Sequence, residues 1–169
     1  MKYFPLFVLL ALCCSAAPAL AQSAERDSLR LPNGLYLVLA QHPGPGAAPA
    51  HGGQMISFHP DFLEEDEKGE PPVLEVAAGD YVPLLLAVPP ESVAQTEQRR
   101  MLLISLEPQA AERLADFTER YLDRSAAIVV GGQALAMHRI RARIEGGKLQ
   151  ITRCTDRACE YVYYELGGN

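Results

Sequence analysis

The chain has 169 residues, 49% of them hydrophobic, and a formal net charge of −6. That acidic balance argues against a nucleic-acid binder, which carries a basic face and a high isoelectric point. The length fits one domain with enough apolar content for a core, and no segment after residue 21 is long and apolar enough to cross a membrane.

Lys2 gives the start a positive charge, residues 4–14 are apolar apart from Pro5, and Ala19-Leu20-Ala21 places small residues where a signal peptidase reads them. The expectation is a secretory signal peptide over 1–21, cleavage before Gln22 and a mature protein in a bacterial periplasm. An uncleaved anchor fits less well, because Pro5, Ser15 and Pro18 interrupt a stretch already marginal against the ~20 residues of a spanning helix.

Residues 22–34 read as a flexible lead-in, and a single domain is expected over 35–169. Leu35-Tyr36-Leu37-Val38-Leu39 is apolar and β-prone, a buried strand. Residues 42–53 are too rich in Pro and Gly to continue helix or sheet, so they form a loop. A short strand over 55–58 precedes the charged run 64–70, read as solvated surface because it lacks the ligand spacing of a calcium loop.

Residues 73–76 and 81–88 are apolar segments, the first a strand or short helix and the second a buried strand. Residues 91–100 read as polar linker or a short exposed helix, and 101–106 as a strand. Pro108 suits a first helical turn, and Ala111, Leu114, Ala115, Thr118, Tyr121 and Leu122 recur at helical spacing through residue 123. A strand over 126–130, the Gly131-Gly132 turn and a strand from Gln133 make a hairpin.

Between Arg139 and Ile144 the alternation is strict, which puts Arg139, Arg141 and Arg143 on one face of a strand and Ile140, Ala142 and Ile144 on the other. Such a stripe grips carboxylates or backbone carbonyls of a partner. The bland alternative is pairing with Glu and Asp on a neighbouring element. Gly146-Gly147 turns the chain into a strand over 148–152, and Tyr161-Val162-Tyr163-Tyr164 is again β-prone.

Cys13 and Cys14 leave with the leader, so Cys154 and Cys159 remain as a pair in an oxidising compartment, where a disulfide is the default. Residues five apart within a regular helix lie roughly 8.6 Å apart, beyond the ~7 Å reach of a bridge, so a tight β-hairpin over 155–158 is expected. A loop of this size contributes roughly 2 kcal/mol in the chain-entropy picture. No metal site is expected, because the pair lacks further ligands at zinc spacing and His42, His51, His59 and His138 are scattered. No nucleophile elbow, phosphate loop or His-Glu-x-x-His pattern occurs, which leaves neither an enzyme nor a cofactor to expect.

Several segments match one family in order: Leu106-Glu107-Pro108, Phe117-Thr118, Ala127-Ile128-Val129-Val130-Gly131-Gly132, Ala136-Met137-His138-Arg139-Ile140 and Ile144-Glu145-Gly146-Gly147-Lys148-Leu149-Gln150-Ile151. This pattern resembles the head part of the first periplasmic domain of SecD, of the SecD/SecF accessory subunits of the bacterial preprotein translocase. The match is best over 104–152; Gly131 stands where that family prefers Asp, and Met137-His138 replaces an Ala-Pro. Contacts made by those residues in SecD do not carry over.

The resemblance implies an α+β fold, a mixed or antiparallel sheet with one main helix packed on a face. It also implies a non-enzymatic periplasmic binding module that contacts unfolded or translocating polypeptide, or the translocase, with Arg139, Arg141 and Arg143 as candidate contact residues. It covers none of the membrane helices by which SecD couples proton flow to export. In SecD a helix follows the Gln-Ile strand, so the hairpin expected at Cys154 and Cys159 is a departure. The alternative is a small secreted inhibitor or interaction protein acting on an envelope enzyme.

Overall fold

The computed structural model describes residues 30–63, 69, 71–96 and 99–167. The expected leader, its cleavage before Gln22, residues 22–29 of the lead-in and most of the acidic run lie outside them. Within the described residues the architecture is α+β, with two antiparallel sheets and two helices.

The chain enters β1 at Gly34–His42, with Leu31 already buried ahead of it. Then come β2 (Gln54–Ser57), β3 (Val73–Pro83), β4 (Glu91–Ala94) and β5 (Arg100–Ser105). Helix α1 (Pro108–Arg120) leads into the hairpin β6 (Ser125–Val130) and β7 (Gln133–Arg139). Strand β8 (Lys148–Cys154) and helix α2 (Asp156–Glu165) complete the described chain. The first sheet has the order β2-β3-β1-β6-β7 and the second β4-β5-β8.

Period-two alternation decides which side chain enters which core. In β1, Leu35 and Leu37 face a core shared with the second sheet and both helices, while Tyr36 and Val38 face a second cluster. Strand β6 repeats the division, with Ala126, Ile128 and Val130 on the first side and Ala127 and Val129 on the other. The second cluster, with Ile56, Leu74, Val76 and Ala134, fills the concave face of the first sheet. That sheet curls until Phe58, just beyond β2, bridges Ala134 of β7, and the His59 N–H donates to the Ala134 carbonyl at 2.8 Å.

Pro108 opens α1, and Ala110, Leu114, Ala115, Phe117 and Thr118 are its buried positions. Leu122 stays exposed, with 47% of its surface accessible, because the helix ends at Arg120 and the chain turns there. At that turn Asp123 adopts a positive φ of 64°, a conformation Asp tolerates better than branched residues. Gly147 is required where it stands: its φ is +64°, and a Cβ there would lie 2.5 Å from the Ala111 Cβ.

Three expectations are corrected. Residues 91–94 are strand β4 rather than linker or helix, because they pair with 100–103. Residues 73–83 form one long strand rather than two segments, since β1 supplies a partner along most of that length. The tyrosine-rich end is helix α2 rather than a hairpin strand. The Thr155 hydroxyl accepts from the Ala158 N–H at 3.3 Å and starts the helix, and Asp156 favours its positive end.

The same cap reconciles the helix with a disulfide. Cys154 ends β8 ahead of the cap, and Cys159 sits in the helix, so their Cα atoms are 5.5 Å apart and the sulfurs are joined. Only Cys159 has helical geometry, so the spacing that forbids a bridge within one helix does not apply.

Candidate functional site: a groove between two strand edges

β7 borders the first sheet and β8 the second, and the two strands flank a groove. One half is a cavity of about 400 Å³, floored by Ile128, Ile140, Ile144 and Leu149 and rimmed by Arg139, Arg141 and Lys148. The other half, also about 400 Å³, lies between Met137 and Thr152 and is walled by Phe58 and Phe62. His138 lines both, so the halves follow one another along the strands. No carboxylate lines either half among the described residues. In an acidic protein Arg141 and Lys148 make this a local site of positive charge over an apolar floor, with Arg139 beside them paired to Asp123.

The backbone of β8 faces this groove with groups that have no strand partner. Leu106 N–H donates to the Gly147 carbonyl at 2.9 Å, and the register continues as Ile104 with Leu149 and Leu102 with Ile151. Antiparallel strands direct successive residues to opposite sides, so Lys148 and Gln150 turn their N–H and C=O groups away from β5, up to the register shift that follows Ile151. Both are exposed. In β7, Ile140 exchanges bonds of 2.8 and 2.9 Å with Arg124 and Asp123, so Met137 and Arg139 likewise turn their backbone groups away from β6.

Thr118 holds the groove wall. Its fully buried hydroxyl donates toward the Leu114 carbonyl at 2.8 Å and accepts from the Ile144 N–H at 2.9 Å, tying the segment after β7 to α1. A helical Thr bonded to its own preceding turn is common, but here the oxygen has a second use.

The arginine stripe is corrected in its geometry. Strand β7 ends at Arg139, so Arg139, Arg141 and Arg143 do not share one strand face. The chain leaves the ladder because Ile140 is the last residue to pair across it, and Gly146-Gly147 must turn back toward β8. Arg139 contacts Asp123 at 3.3 Å and donates to its carbonyl at 3.0 Å. Arg143 is held by Glu119 at 2.5 Å and Glu145 at 3.3 Å, away from the groove. Arg141 has no ion-pair partner among the described residues and stands on the groove rim. Two of the three candidates therefore meet at the groove, joined by Lys148, which sequence reasoning did not select.

A second polar centre also escaped the sequence reading. Glu75 of β3 is fully buried, and its carboxylate accepts from the N–H groups of Ala50, His51 and Gly53 at 2.9, 2.7 and 2.9 Å. His42 Nε2 lies 3.2 Å away. Burial by itself pushes the Glu75 carboxyl up, but the three backbone donors and His42 overcome it and hold the group down at about 2. Gly53 is fixed by this packing, since a Cβ there would lie 2.6 Å from the Val76 carbonyl oxygen. The end of the Pro/Gly loop is thus pinned by a charge.

His59 accepts from the Asp61 N–H at 3.2 Å and packs its ring 4.5 Å from that of Tyr161. Burial, more than the opposing Asp61 charge, lowers its pKa, with Arg157 adding to the effect. Among the described residues no three His, Cys, Asp or Glu side chains gather as a metal site, and no helix is long and apolar enough to cross a membrane.

No protein-family model matches the chain, and no curated protein matches it. Among solved structures it is similar to a crystal structure of SecDF in a super-membrane-facing form, at 16% identity and a TM-score of 0.53. That likeness covers 90% of this chain and 21% of that one. A second structure, of SecDF as a membrane component that enhances protein export, has 16% identity and a TM-score of 0.48, covering 91% of this chain and 71% of that one. The first likeness shows a shared fold across nearly the whole chain, well beyond the residues that carry the sequence resemblance.

Proposed function

We propose that this chain is a non-enzymatic periplasmic binding module that contacts unfolded or translocating polypeptide in protein export. The observation that supports this reading is the groove: an apolar floor, a cationic rim without carboxylates, and two strand edges facing one opening. Unfolded chains offer apolar side chains and unpaired backbone groups together, and the groove offers a counterpart to both. The fold shared with SecDF is compatible with this role but does not by itself assign it.

The test is binding of a fluorescently labelled unfolded precursor to the purified chain. Binding should weaken with salt, because exposed charges are screened within ~10 Å at moderate ionic strength. Replacing Arg141 and Lys148, the rim cations with no ion-pair partner among the described residues, together by Ser should weaken it at least about fivefold, the loss of exposed charge contacts, and adding Arg139→Ser should add less because Asp123 already engages that guanidinium. Arg143→Ser should leave it unchanged, because that guanidinium is engaged by Glu119 and Glu145. A parent protein that binds no unfolded chain contradicts the reading and puts the inhibitor alternative ahead.

A further inference from the structure

We infer that the groove takes an extended segment as a fourth strand on the free edge of β8, and that it prefers segments in which apolar and acidic residues alternate. This rests on the polypeptide-binding reading and specifies its mode and its ligand.

Three observations carry it. The first is the edge: Lys148 and Gln150 present two N–H and two C=O groups away from β5, and no hydrogen bond from the described residues meets them. Their spacing of ~6.6 Å along the strand is the repeat at which an added strand places its own inward-facing groups. The edge of β7 is the lesser candidate, since Ala134 is already bridged by Phe58 and bonded by His59.

The second observation is the floor. Leu149 is buried beside the groove, and with Ile140 and Ile144 it forms an apolar surface next to the open edge. A strand laid on β8 sends every second side chain toward that surface. The third is the charge. Arg141 and Lys148 rim the groove without an ion-pair partner among the described residues, Arg139 stands beside them with its charge shared with Asp123, and no carboxylate lines the groove among the described residues, so the intervening side chains of the ligand are best acidic. A purely defensive edge would also carry a lysine, as Lys148 does. It would not need an apolar cavity alongside.

The probe is a peptide of about eight residues alternating valine and glutamate, long enough to span the edge. Two isomers are N-methylated at alternate residues, each removing the amide donors of one edge, and a third peptide replaces glutamate by lysine. Titrated against the purified protein, the unmodified peptide should bind. One methylated isomer should lose at least about tenfold in affinity, the other should stay within about twofold, and the lysine peptide should bind at least about tenfold more weakly.

If the peptide binds and both methylated isomers match it, strand addition is overturned while polypeptide binding stands. If the lysine peptide binds as well as the glutamate peptide, the acidic preference is overturned. If neither peptide nor unfolded precursor binds, both readings fall. A chain that is dimeric at working concentration and stays dimeric with saturating peptide marks the edge as an interface between copies, which also overturns the inference.

Discussion

In the first sheet the outer strands are drawn together, with Phe58 bridging Ala134 and the Pro/Gly loop pinned on buried Glu75, whereas in the second sheet β8 faces open space with its backbone groups unmatched. Both regions confront the same problem, since a polar backbone group needs a partner or water. The loop at residues 50–53 meets it internally, by placing a carboxylate where three N–H groups converge. The edge of β8 meets it externally, with water in the free protein and with a ligand in the proposed binding mode. On that proposal the closed end stabilises and the open end binds, so substitutions at the two ends should have separable effects.

Glu75→Gln should give the largest loss of stability, because it removes the charge on which three N–H groups and His42 converge. The parent carboxyl titrates at about 2, below the ordinary glutamate value. Its stabilising contribution is therefore complete above the ordinary glutamate range and is lost as pH falls toward about 2. Thermal midpoints across that acid range should fall more steeply for the parent than for the variant, with peptide binding at neutral pH retained. Parallel profiles for the two proteins would show that Glu75 is not the source of the acid limb.

Thr118→Val tests the other end with a smaller effect. It keeps the side-chain shape but strands the Ile144 N–H, which predicts a loss of about 1–3 kcal/mol in denaturant unfolding. Because the groove wall moves with residue 144, peptide affinity should fall as well. Unchanged stability would mean that the Ile144 amide finds water, and that Thr118 does not hold the wall.

Much of the scaffold was legible. Pro108 with its helical repeat, the Gly131-Gly132 turn and the 148–152 strand are local patterns, and local patterns survive folding when the core agrees with them. Helix α2 was misread because Tyr161, Tyr163 and Tyr164 favour strands, yet Thr155 followed by Asp156 was a helix-start signal in plain sequence. Strand β4 has no periodicity of its own and exists through pairing with β5. Glu75 looked incidental in an apolar run, since its donors lie 22–25 residues earlier in a loop. The groove was least legible: it depends on the edges of β7 and β8 meeting, and Lys148 gains meaning only beside Arg139 and Arg141.

Amide hydrogen exchange along β8, with and without the alternating peptide, tests the central claim most directly. In the free protein the amides of Leu149 and Ile151, directed at β5, should exchange slowly, and those of Lys148 and Gln150 should exchange fast. Saturating peptide should slow the second set and leave the first unchanged. If Lys148 and Gln150 are already protected in the free protein, or stay fast when the peptide is bound, the open edge of β8 is not where this protein binds its ligand.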